Sequence, residues 1–205
     1  MELIFNDGKI LFDNKELTIL DKTVIDFLSH IDVKYVIVSG YVAILFGRSR
    51  NTEDIDLFIE RLDYNRFSKL FHKIVDSQKY YCINTDDPKD AFLILEESSS
   101  IRFAAIGTQE PNFEIKFPRN KLNAYSLENP IIVKLNKKHE IKIGPIELQL
   151  AYKLYLGGEK DYLDAAHLYE MFAEHINKER LKSFLKELNI KESLVRKIFG
   201  EKYES

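Results

Sequence analysis

Two aspartates, Asp54 and Asp56, open the apolar run DIDLFIE, and their spacing is the feature of this sequence best suited to chemistry. Strands normally shed carboxylates. In an extended chain, residues two apart point to the same face, so these carboxylates share a face with their Cα atoms roughly 6.5 to 7 Å apart. Leu57 and Ile59 point the other way, towards a core. Carboxylates this close raise each other's pKa unless a positive charge lies between them. A divalent cation is the usual solution. Oxygen ligands suit Mg²⁺ or Mn²⁺, which bind through one or two carboxylates together with substrate phosphates. Two such ions about 3.5 to 4 Å apart can hold the attacking and leaving oxygens of an in-line phosphoryl displacement.

The residues just before the pair suit the same chemistry. The stretch VSGYVAILFGRSRNTEDIDLFIE runs from Val38 to Glu60. Gly40 lies where a strand passes into a helix, so backbone there can approach a phosphate closely and aim free N–H groups at it. Ser39 can add a hydroxyl. Arg48 and Arg50 can supply charge to a leaving pyrophosphate. Singly, each feature has an ordinary reading: a solvated strand edge, a glycine before a helix, exposed arginines near a loop. Their joint order and spacing point to phosphate chemistry.

That order resembles the signature of the nucleotidyltransferase fold, the DNA polymerase β superfamily, in which a Gly-Gly or Gly-Ser turn precedes an Asp-x-Asp pair by about ten residues. More narrowly, SGYVAILFGRSRNTEDIDL resembles the AbiEii/AbiGii-type minimal nucleotidyltransferases, many of them toxins of toxin–antitoxin pairs, whose pattern is roughly GGxAxxxxGxxRxTxDIDL. Ser39 and Gly40 stand for the paired glycines, Gly47 for the later glycine, Arg50 and Thr52 for the Arg-x-Thr step, and Asp54 and Asp56 for the metal-binding pair. A serine replaces the first glycine here.

The resemblance implies a third acid on a neighbouring strand. Glu114 in PNFEIKFP is the best candidate, since Phe113, Ile115 and Phe117 face the core while Glu114 and Lys116 face away. It reaches the metals only if its strand lies beside DIDLFIE; otherwise Glu114 and Lys116 are an ordinary exposed pair. Glu96 or Glu97, at a helix end, could serve instead. IELQLAYKLYLGGEKDYLDAAHLYEMF resembles the C-terminal signature of the same group. By that match Lys153 contacts the triphosphate, and Asp161 and Asp164 hold the site or a helix cap. The likeness covers two blocks, about 36–60 and about 145–172.

These residues need elements to position them. LIF and KILF flank Asn6, Asp7 and Gly8, a hairpin pattern with Gly8 left-handed. Leu17, Leu20, Val24, Phe27, Leu28 and Ile31 recur at helical spacing, predicting a helix from about Lys15 to His30. KYVIVS reads as a buried strand ended by Gly40, and Tyr41 to Phe46 as a short helix closed by Gly47. After DIDLFIE come a helix striped by Phe67, Leu70, Phe71, Ile74 and Val75, a strand at YYCIN, and a short helix at PKDAFLILEE behind the Asp87 cap. IRFAAI, NFEIKF, PIIVKL and EIKI read as strands. From Pro145 on, IELQLAYKLYL, DYLDAAHLYEMFAEH, KERLKSFLKEL and ESLVRKIF all read as helices. The expected architecture is α+β: a nucleotidyltransferase-like mixed sheet flanked by helices over residues 1–144, and a C-terminal helical bundle over 145–205 packed on it.

Composition narrows the function classes. The chain has 205 residues, 45% hydrophobic and 31% charged, with a formal charge of −3, so no whole-molecule basic field recruits nucleic acid. The single cysteine, Cys82, excludes an internal disulfide and a Cys-rich zinc site and fits a reducing cytoplasm. No signal peptide or membrane-length apolar run is expected. GxxxxGK[ST], HExxH and GxSxG are missing, and the histidines show no ligand spacing.

The expected activity, as the resemblance implies it, is transfer of NMP from an NTP to an acceptor hydroxyl with release of pyrophosphate. Mg²⁺ (or Mn²⁺) would be held by Asp54, Asp56 and Glu114, with Glu114 also helping to deprotonate the acceptor. Ser39, Gly40, Arg48, Arg50, Thr52 and Asp161 would line the nucleotide, with Lys153 on its phosphates. The acceptor would be RNA (tRNA) or a protein, in a toxin-like role with a cognate antitoxin. The alternatives are a catalytically weak nucleotide-binding or interaction module of the same fold, favoured by a missing third carboxylate, and a protein in which the aspartates have no nucleotide role.

Overall fold

The computed structural model describes residues 3–6, 8–13, 15–200 and 203. Strands β1 (Leu3–Asn6) and β2 (Lys9–Phe12) form the N-terminal hairpin, with Gly8 at φ +72° as the pattern requires; Asp7 of the expected turn lies outside the described residues. Helix α1 (Ile19–Leu28) is shorter than its periodic stripe. A capping box fixes its start: the Thr18 hydroxyl accepts from Asp21 N and the Asp21 carboxylate accepts from Thr18 N, each at 3.0 Å. Strand β3 (Tyr35–Val38) leads through Ser39 into α2 (Gly40–Leu45), followed by β4 (Asp54–Ile59) and α3 (Tyr64–Val75).

Next come β5 (Tyr80–Cys82), α4 (Pro88–Glu96), β6 (Ile101–Ala105) and β7 (Asn112–Lys116). Asp87 caps α4 by accepting from Lys89 N at 2.7 Å. No apolar stripe marks residues 121–128, yet α5 (Lys121–Glu128) forms there behind Asn120, whose side chain accepts from Asn123 N at 2.8 Å. Strands β8 (Ile131–Lys134) and β9 (Glu140–Ile143) precede four helices, α6 (Ile146–Leu156), α7 (Glu159–Phe172), α8 (Lys178–Glu187) and α9 (Glu192–Phe199). Among the described residues no helix is long and apolar enough to cross a membrane.

The strands build one nine-stranded mixed sheet in the order β1-β2-β8-β9-β3-β4-β7-β6-β5, flanked by helices, an α+β architecture. Strand β4 is central, antiparallel to β3 and parallel to β7. One of its faces is fully apolar: Ile55, Leu57 and Ile59 are wholly buried, as are Val24 and Phe27 of α1. Phe27 stacks on Phe113 of β7 with centroids 3.8 Å apart. Burying each such side chain contributes about 1.5–3 kcal/mol. The strand period of two then leaves Asp54, Asp56 and Phe58 on the opposite face.

Candidate active site

The parallel register of β4 and β7 decides what stands beside the aspartates. Asp54 pairs with Asn112, Asp56 with Glu114 and Phe58 with Lys116. Paired residues in a sheet share a face, so two columns of side chains run side by side. Asp54, Asp56 and Glu114 converge there, each offering one carboxylate oxygen, all within 4.8 Å of one another. The expectation that NFEIKF must lie against DIDLFIE for Glu114 to reach the pair is met by this register. Glu96, the alternative acid, instead pairs with Arg61 at the end of α4, and Glu97 caps that helix, so neither joins the cluster.

The cluster is not purely acidic. Lys116 Nζ lies 2.8 Å from Asp56 Oδ1 and 3.2 Å from Glu114 Oε2. Glu114 Oε1 also accepts from Ser100 Oγ at 2.5 Å and from Arg102 Nη2 at 3.2 Å. Among the described residues no cation pairs with the carboxylate of Asp54. Burial pushes the Asp56 carboxyl up, and the nearby Lys116 only partly offsets it. For Glu114, burial acts upward too, but Ser100, Lys116 and Arg102 together hold its carboxyl below the usual range. Lys116, in spite of its own desolvation, is held protonated by Asp56 and Glu114, which raise its pKa. Three carboxylate oxygens within reach of one ion fit a hard divalent cation.

A second charge cluster adjoins the first. Asp164 of α7 has a side chain with no exposed surface and takes both ends of the Arg50 guanidinium, Nε at 3.0 Å and Nη2 at 2.8 Å. Lys153 Nζ lies 2.8 Å from Asp164 and 3.3 Å from Asp161, and Arg48 Nε lies 3.6 Å from Asp164. Burial would raise the Asp164 carboxyl, but hydrogen bonds and charge from Arg50 and Lys153 outweigh it and hold the group low. Arg48, Arg50 and Lys153 are thus anchored by an acid on α7, which local sequence spacing could not show.

Gly40 takes part in that anchoring. A Cβ there would stand 2.7 Å from Arg50 Nη2 and 3.2 Å from Thr52 Oγ1, so the lack of a side chain lets Arg50 lie across the start of α2. Thr52 Oγ1 donates to the Asp54 carbonyl at 2.9 Å and fixes the entry into β4. Ser39 adopts φ +67° and ψ −133°, a conformation suited to glycine. Its N–H donates to Gln149 Oε1 of α6 at 3.0 Å, which helps hold the strained turn.

Two cavities meet at Ser39, Asp56 and Lys153. One, of about 270 Å³, is polar and is bordered also by Asp54, Arg50, Thr52, Lys160 and Asp161. The other, about 340 Å³, is bordered by Phe58, Lys116, Leu148, Gln149, Tyr152 and Leu156. Gln149 Nε2 is buried there without a partner. Sequence reading missed Lys160, Gln149 and the bridging role of Lys116. For Lys116 a signal existed, because it lies two residues beyond Glu114 and so on the same face.

No protein-family model and no curated protein matches this sequence. Among solved structures the chain is similar to an antigenic nucleotidyltransferase-like protein from Paracoccidioides brasiliensis, at 17% identity, over 87% of this chain and 91% of that chain, with a TM-score of 0.51. JHP933 from Helicobacter pylori aligns at 18% identity over 88% of this chain and 75% of its own, with a TM-score of 0.48. The mixed sheet that carries Asp54, Asp56 and Glu114 has a nucleotidyltransferase-like fold.

Proposed function

We propose that this chain is a metal-dependent nucleotidyltransferase that moves NMP from an NTP to an acceptor hydroxyl. The observation that carries this reading is the meeting of three carboxylates with a polar cavity that Arg50, Lys153 and Lys160 also border, Asp54 and Asp56 being common to both. When bound, Mg²⁺ or Mn²⁺ at Asp54, Asp56 and Glu114 would neutralise charge on the transferring phosphoryl group. Arg50, Lys153 and Lys160 border the polar cavity and would hold the phosphates. The acceptor oxygen forms a bond to the α-phosphorus, the bond from that phosphorus to the bridging oxygen of the β-phosphate breaks, and pyrophosphate leaves with the electron pair. Glu114 would also help to take the proton of the acceptor hydroxyl, the role expected from the resemblance.

The resemblance of SGYVAILFGRSRNTEDIDL to the AbiEii/AbiGii-type group supports a toxin-like role, with tRNA or a protein as acceptor and an antitoxin as partner. Incubation of the protein with labelled NTP, Mg²⁺ or Mn²⁺ and cell extract tests the reading. Label should move to RNA or protein with the wild type and not with Asp56→Asn. One observation favours a second reading, a catalytically weak nucleotide-binding module: Ser100, Arg102 and Lys116 already satisfy Glu114. NTP binding without any label transfer would establish the module in place of the enzyme.

A further inference from the structure

We propose that Lys116 is a built-in counter-ion that keeps uncomplexed divalent metal out of the acidic cluster, so that the cation enters only together with a nucleotide's phosphates. The inference rests on the nucleotidyltransferase reading and deepens it by stating how the site selects its metal. Space is the first reason. The ammonium bridges Asp56 Oδ1 and Glu114 Oε2 at 2.8 and 3.2 Å. A divalent ion held by Asp56 and Glu114 would draw on the same two carboxylates that the ammonium bridges. The two cations compete for one place.

Charge is the second reason. Three carboxylates face the cations of Lys116 and Arg102, which leaves little surplus negative charge for a divalent ion. Affinity for such ions follows the number of charged ligands. A triphosphate beside Asp54 adds the missing charge and oxygens, so a metal–nucleotide complex can displace an ammonium that the bare ion cannot.

Mobility is the third. The Lys116 side chain is 25% exposed and its stem borders the larger cavity beside Phe58, so it has a place to turn when it leaves the carboxylates. In register it stands beside Phe58, one pleat beyond Glu114, and reaches the acids only by leaning back along β7.

Titration with Mn²⁺, following the bound ion by electron paramagnetic resonance, tests this with wild type, Lys116→Met and Lys116→Arg, all checked for folding by circular dichroism. Without nucleotide, Lys116→Met should bind Mn²⁺ at least about tenfold more tightly than wild type, since one charge at contact distance is removed. Lys116→Arg, which keeps a cation, should stay close to wild type. With a non-hydrolysable NTP present, the displaced ammonium of the wild type can pair with a phosphate, so the difference between wild type and Lys116→Met should shrink to below about threefold. Equal or weaker Mn²⁺ binding by Lys116→Met, with Mn²⁺–NTP still bound by wild type, would overturn the counter-ion proposal and leave the enzyme reading intact. If neither wild type nor Lys116→Met binds Mn²⁺–NTP, the nucleotidyltransferase reading falls and the inference with it.

Discussion

The acidic cluster on β4 and β7 and the ion cluster around Asp164 are built from the same residue types, yet they do opposite things. Around Asp164, three cations meet two carboxylates, and the central acid is fully enclosed. Charge there is over-compensated, and the network ties α6 and α7 to the segment between α2 and β4. In the Asp54 cluster the balance is reversed, with three carboxylates against two cations, and Asp54 faces the polar cavity. The cavity therefore has a positive wall and a negative one. A phosphate chain suits the first and a divalent ion the second. Identical side chains become scaffold or site according to whether their neighbours complete the charge balance.

The strongest way to break this contrast is Asp164→Ala. Removing the acid leaves the Arg50 guanidinium without a carboxylate and Lys153, 2% exposed, with only Asp161 at 3.3 Å, which should cost about 3–5 kcal/mol in urea unfolding. Asp54→Asn should do the reverse. Among the described residues it breaks no ion pair and it lowers like-charge repulsion, so stability should be unchanged or rise by less than about 1 kcal/mol. Label transfer from NTP should nevertheless fall by at least about 100-fold. A stability loss for Asp54→Asn like that of Asp164→Ala would erase the distinction between site and scaffold.

Ser39→Gly sharpens the comparison from the backbone side. Relief of the positive φ should raise stability by about 1 kcal/mol in thermal melts, with the Gln149 contact to the backbone N–H kept. An unchanged melting temperature would mean that the turn is held without strain. A smaller effect concerns pH. The Asp164 carboxyl is held below its unfolded value of 3.8, so the stabilisation it contributes is complete above that pH and is lost as the pH falls through the lower folded value. Asp164→Asn should flatten this acid limb of the stability curve, and an unaltered limb would assign the loss to other groups.

Much of the fold was legible because each β4 or α3 residue declares its face through local periodicity. Of the stripe Phe67, Leu70, Phe71, Ile74 and Val75, the first four are buried and Val75 is half-buried. Helix α5 was not legible, since its apolar residues form no stripe and its start depends on the side chain of Asn120. Helix α1 ends up shorter than its stripe because a capping box, and not hydrophobic spacing, sets where it begins. Within the site, Asp54, Asp56 and Gly40 could be picked out from one contiguous segment. Lys160 and Gln149 lie far along the chain, on the same helices as Lys153 and Asp161, which only the resemblance of that block brought to notice.

By itself the sequence determined that Asp54 and Asp56 share a strand face, because alternation of side chains is a local property of an extended backbone. It likewise determined the apolar face that buries β4. The tertiary structure alone decided that β7 lies parallel beside β4 with Glu114 level with Asp56, that Lys116 bridges the two acids, and that Asp164 captures Arg50 from 114 residues away. Strand register and ion-pair partners depend on which surfaces meet after the chain has folded, and no local period encodes such meetings.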